Sequence, residues 1–157
     1  MEVERKRLEA KAAEPEPVPD IVVAVPVWVF RGYARVWLRG GIGLLGLLAL
    51  MAFGGVTDLI WFALTAGFSA GLVVCGFLAG EVADGMRNRE TWAFIVGIVL
   101  SVVAVMGSIT AFSVFAPGLV NPNAVRWGSL LVFGGAGVAA AGGLVMLIRA
   151  GRARPPA

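Results

Sequence analysis

From Gly40 to Ile148 long apolar runs alternate with short polar breaks, and no ionised residue falls within a run. Crossing a bilayer as a helix takes about 20 apolar residues at a rise of 1.5 Å each. Four runs fit: Gly40 to Val56, Leu59 to Gly80, Trp92 to Phe115 and Trp127 to Ile148, the first borrowing a turn from the "VWL" ahead of it. Only Thr57 and Asp58 part the first two runs, which predicts a tight antiparallel hairpin. The second break, "EVADGMRNRE" within 81–91, reads as an exposed, self-neutralising turn with Asp84-Gly85 at its tip. The third, 116–126, contains two prolines and two asparagines and reads as a turn-rich loop. The expected fold is an all-α membrane protein with four transmembrane helices in two antiparallel hairpins.

The N-terminal region has a different pattern. Residues 1–20 mix both charges with Pro and predict an extended, solvated tail. In 21–39 the apolar stretch "IVVAVPVWVF" is about half a bilayer span. After it Arg31, Arg35 and Arg39 recur at i, i+4 and i+8, with Trp28 and Trp37 among the apolar remainder. That profile predicts a short amphipathic helix at the headgroup level, its arginines on lipid phosphates and its indoles in the interface.

Composition agrees with the pattern: 59% of residues are hydrophobic and 15% charged, and mean hydropathy is +0.87. A soluble domain of 157 residues could not bury that much apolar surface. The net charge of +3 does not indicate nucleic acid, because the arginines flank apolar runs. Arg31, Arg35, Arg39, Arg87, Arg89, Arg149, Arg152 and Arg154 lie on one side of the predicted spans and Arg126 alone on the other. Cytoplasmic flanks carry the excess of basic residues, so both termini, including the basic tail 149–157, are expected in the cytoplasm. A bacterial inner membrane is the expected location, with lipids and other membrane subunits as partners and a homo-oligomer as an alternative.

Candidate chemistry is sparse. The chain has no His and a single Cys, Cys75, which excludes an intrachain disulfide and a thiolate or imidazole metal site. Gly41, Gly43 and Gly46 match G-x-G-x-x-G, but no amphipathic helix follows and no acidic residue stands about 20 positions on, as a dinucleotide site requires. No cofactor and no enzymatic activity are expected.

Small residues are the more informative signal, because they let helix backbones approach closely in lipid. In the first run they recur every third position from Gly40 through Gly43, Gly46, Ala49 and Ala52 to Gly55. In the second they recur every fourth, at Ala63, Gly67, Gly71, Cys75 and Ala79. A four-residue step drifts about 40° around a helix and a three-residue step about 60° the other way, so the second run has the cleaner groove. Gly67 and Gly71 are its expected point of closest approach. Ala93, Gly97 and Ser101 offer a shorter version in the third run, and "GGAGVAAAGG", with Gly135, Ala139 and Gly143, gives the fourth little bulk on any side. The function expected from these features is a non-catalytic accessory or scaffold subunit of a larger membrane complex. A homo-oligomeric pore, holin-like or a small channel, and a lipid-binding organiser acting through Arg31, Arg35 and Arg39 are the alternatives.

Overall fold

The computed structural model describes residues 4–5, 20–55, 58–115 and 121–152, and among them there is no strand. Most of the predicted tails, together with residues 56–57 and 116–120 of the loops, lie outside the described residues. Helix α1 runs Asp20–Phe53, α2 Leu59–Arg87 and α3 Thr91–Phe115. The last rod consists of α4, Pro122–Ser129, a π-helical turn, Leu130–Gly134, and α5, Gly135–Arg152. Among the described residues four helical rods are therefore long and apolar enough to cross a membrane.

The ends follow from local chemistry. Past the last residue of α1, Gly55 takes a left-handed φ of 77°, which a residue without Cβ adopts at no steric cost. Asp58 caps α2 by accepting from the Trp61 amide. Asn121 caps α4 by accepting from the Asn123 amide at 3.0 Å, and Pro122 fills the first helical position, where its missing N–H costs nothing. This start places α4 ahead of Trp127, in residues expected to belong to the loop.

The expected division between an interfacial segment, 21–39, and a span beginning at Gly40 is not a break in the backbone. Helix α1 passes through it because one stripe is buried along its whole length: Val23, Pro26, Phe30, Ala34, Gly41 and Leu48. Helical stability in long elements comes chiefly from packing such a face, and it outweighs the modest helix propensity of Gly40 and Gly41.

Helices α1 and α2 lie side by side in opposite senses, as Gly41 meets Ser69 and Val73, Gly76 meets Leu38, and Arg31 meets Asp84. Helix α3 packs against both α2 and the α4–α5 rod. The core gathers at one end, where Phe30, Val82, Met86, Ala93, Phe94 and Ala140 are almost fully buried. At the other end of the α1–α2 pair Leu47, Leu50, Phe53, Leu59 and Ile60 are exposed.

Candidate interfacial and helix-packing site

The structure divides the small residues into those its own helices use and those they leave open. A Cβ added to Gly76 would stand 2.9 Å from the Leu38 nitrogen and 3.3 Å from the Ala34 carbonyl, and one on Gly41 would stand 2.9 Å from the Ser69 carbonyl. Gly97 faces Met86 and Phe30, and a Cβ added to Gly143 would stand 2.5 Å from the ring of Phe94. Ala79 and Ser101 are buried, Cys75 and Ala139 half-buried. By contrast, a Cβ on Gly43, Gly46, Gly67, Gly71 or Gly135 would meet no neighbouring element within 4 Å among the described residues, and Ala63 is exposed.

The closest approach of α1 and α2 is thus at Gly76 and Gly41, while Gly67 and Gly71 meet no other helix among the described residues. The reason is helical drift. A stripe of four-residue steps turns about 160° between Ala63 and Ala79, so its Ala79 end is buried while its Ala63 to Gly71 end turns away. Seven-residue steps hold one side far better, and they mark both sides of the contact: Ala34, Gly41 and Leu48 on α1, Ser69, Gly76 and Ala83 on α2.

Above this contact is an aromatic cluster. Tyr33 stacks on Trp37 with centroids 5.3 Å apart, meets Phe30 edge-on at 5.7 Å and Phe133 at 4.9 Å. Its hydroxyl donates to the Val132 carbonyl at 2.9 Å, inside the π-helical turn. Trp37, expected at the headgroups, is therefore half-buried between helices, whereas Trp28 is 78% exposed. A cavity of about 260 Å³ opens beside the cluster, lined by Trp37, Phe68, Cys75, Leu100, Val103 and Phe133 among others.

The polar residues gather at the end of the bundle where the core is tightest. Arg31 donates to Asp84 at 3.0 Å and Arg89 to Asp20 at 3.0 Å, while Arg35 and Arg39 are exposed. The Trp92 indole donates to the Glu90 carboxylate. The predicted turn over 81–91 contracts to Asn88–Glu90, and Glu81, Asp84 and Gly85 are helical. Gly85 serves packing there, since a Cβ would meet Ala93 at 2.7 Å and the Trp92 ring at 3.0 Å. Nor does the cluster neutralise itself, because Asp84 and Arg89 pair with α1.

Helix α2 ends in a Schellman arrangement: the Glu90 amide donates to the Gly85 carbonyl at 2.9 Å and the Arg89 amide to the Met86 carbonyl at 3.0 Å. The left-handed position of that motif usually holds Gly, but here it holds Arg89, with φ 61°. Between this turn and the start of α1 lies a cavity of about 420 Å³, lined by Asp20, Val23, Trp28, Arg31, Arg87 and Arg89 among others.

The hydroxyls within the rods are occupied locally. Thr65, Ser69, Ser101, Thr110 and Ser113 each donate to the carbonyl four residues earlier, and Ser108 and Ser129 share a 2.6 Å bond between α3 and α4. Among the described residues no three His, Cys, Asp or Glu side chains converge as a metal site, and no buried polar side chain is left unsatisfied. In comparisons with known proteins the chain matches no family model and has no significant match among curated proteins or solved structures.

Proposed function

We propose that the chain is a non-catalytic integral membrane protein that crosses a bacterial inner membrane four times, with both termini cytoplasmic, as an accessory or scaffold subunit of a larger complex. Three helical lengths that each begin at an arginine or a tryptophan suit a bilayer. From Arg31 to Phe53, from Trp92 to Val114 and from Arg126 to Ile148 the rise is about 33 Å at 1.5 Å per residue, close to a hydrocarbon core of about 30 Å. The packed end, with Arg31, Arg87, Arg89 and Arg149, is the cytoplasmic one by the excess of basic residues.

The observation that carries the scaffold role is the open set Gly43, Gly46, Gly67 and Gly71. A glycine facing lipid gains little contact, but the same glycine lets a neighbouring helix approach closely enough for van der Waals attraction to hold it. Arg39 supports the same reading. It lies about 12 Å further along α1 than Arg31, inside the apolar length, and forms no ion pair among the described residues. A carboxylate on a partner subunit would offset the cost of a charge at that depth.

Extraction in a mild detergent, followed by mass spectrometry of the intact assembly, tests the proposal. A fixed ratio of this chain to other membrane subunits is the expected result. Recovery only as monomer or homo-oligomer would overturn it.

A further inference from the structure

We propose that the cavity between the N-terminal part of α1 and the C-terminal end of α2 binds the phosphate of an anionic phospholipid headgroup; this rests on the membrane reading above. Three guanidinium groups, of Arg31, Arg87 and Arg89, line the cavity. Two carboxylates face them, Asp20 on Arg89 and Asp84 on Arg31, each through one 3.0 Å contact. One positive charge is left over, and it belongs to Arg87, which has no ion pair among the described residues. A monoanion is what balances the set.

The donor geometry suits a phosphate. A guanidinium has five N–H donors in a planar fork, and each of these two ion pairs uses one nitrogen of its arginine. Both arginines keep nearly half their side-chain surface open, and Asp20 is 97% exposed. A contact so open to solvent is weak, so Arg89 can reorient towards a better acceptor at little cost.

Arg89 supplies an independent argument. Left-handed backbone is unfavourable for a residue with a Cβ, and Gly at this position of the helix stop would remove the cost. Strain of this kind persists where a side chain serves a site. Here the strained residue is a cation directed into a cavity that already holds two others.

The walls indicate a lipid as the source of the phosphate. Val23, Ala24 and Val27 form an apolar side, and Trp28 stands exposed at the rim, as indoles do at the level of headgroups. Arg31 and Trp92 mark the edge of the apolar length on α1 and α3, so Arg87 and Arg89 fall just outside it, at the depth of lipid phosphates.

The full chain in mild detergent, incubated with equal amounts of phosphatidylglycerol and phosphatidylcholine and read by native mass spectrometry, tests the site. One phosphatidylglycerol should stay bound in preference to phosphatidylcholine, and millimolar inorganic phosphate should not displace it. Arg87→Gln, which breaks no ion pair, should lower retention roughly tenfold, the effect of losing one charged hydrogen bond. Arg126→Gln, in α4 and outside the cavity, should leave retention unchanged. Equal retention of both lipids, or no effect of Arg87→Gln, would overturn the proposal, and displacement by inorganic phosphate would overturn the lipid source. Release of the chain from membranes by alkaline carbonate would instead refute the membrane reading, so the two failures are distinguishable.

Discussion

Gly76 of α2 rests against the backbone of Leu38 of α1, with room for a hydrogen and not for a methyl group. A Cβ there would lie 2.9 Å from the Leu38 nitrogen and 2.7 Å from its Cγ. Because backbone cannot yield as a side-chain tip does, Gly76→Ala must push the two helices apart. Overpacking of this kind costs about 1–3 kcal/mol. Thermal unfolding in one detergent should place Gly76→Ala well below the parent and Gly71→Ala level with the parent, since among the described residues no neighbouring element stands within 4 Å of a Cβ at Gly71. Equal losses at both positions would contradict the register of α1 on α2.

Gly71→Leu separates folding from assembly. The added side chain has open space within this chain, so the unfolding temperature should stay close to that of the parent. A partner helix seated on the Gly67–Gly71 side would be displaced, and recovery of associated subunits after mild extraction should fall at least severalfold. Unchanged recovery would show that this side does not carry the assembly.

These two glycines also show which parts of the structure could be read from the chain. Run length and hydropathy are local quantities, and they lead to four apolar helices; Asp58 and Asn121-Pro122 likewise mark helix starts by their own chemistry. Continuity of α1 through Gly40 and Gly41 is decided elsewhere, by Ser69 and Val73 across the contact. The same holds for Gly85, which resembles a turn residue beside Asp84 but is helical because Ala93 and Trp92 press against it. Neither the Asp84 partner of Arg31 nor the Asp20 partner of Arg89 is visible in spacing, because each depends on a register fixed by close approach far along the chain. Seven-residue steps, Ala34, Gly41 and Leu48 against Ser69, Gly76 and Ala83, mark that register, while the more conspicuous four-residue stripe drifts off the contact.

Tyr33→Phe tests the link between α1 and the π-helical turn. The ring contacts with Phe30, Trp37 and Phe133 would survive, and only the 2.9 Å bond to the Val132 carbonyl would be lost. A single hydrogen bond of this type contributes about 1 kcal/mol net. Tyr33→Leu removes the aromatic pairs as well, each worth about 0.5–1.5 kcal/mol, and should be clearly the more destabilised of the two. If thermal unfolding ranks Tyr33→Phe with Tyr33→Leu, the hydroxyl rather than the stacked rings holds the turn. If Tyr33→Phe matches the parent, the bond adds nothing.

Arg89 offers two substitutions that remove the same cation and differ only in backbone. Arg89→Ala loses the contact with Asp20 and keeps a Cβ at φ 61°, so the strain of the left-handed position remains. Arg89→Gly loses the same contact and relieves the strain, which is worth about 1–2 kcal/mol. The Gly variant should therefore unfold at a higher temperature than the Ala variant, and close to or above the parent, because the pair it gives up involves an almost wholly exposed Asp20. Retention of phosphatidylglycerol should fall in both variants alike, since both lack the guanidinium. Gain of stability in Arg89→Gly with loss of lipid would mean that the chain keeps a strained cation at this turn for what it binds; equal stability of the Gly and Ala variants would deny that the position is strained.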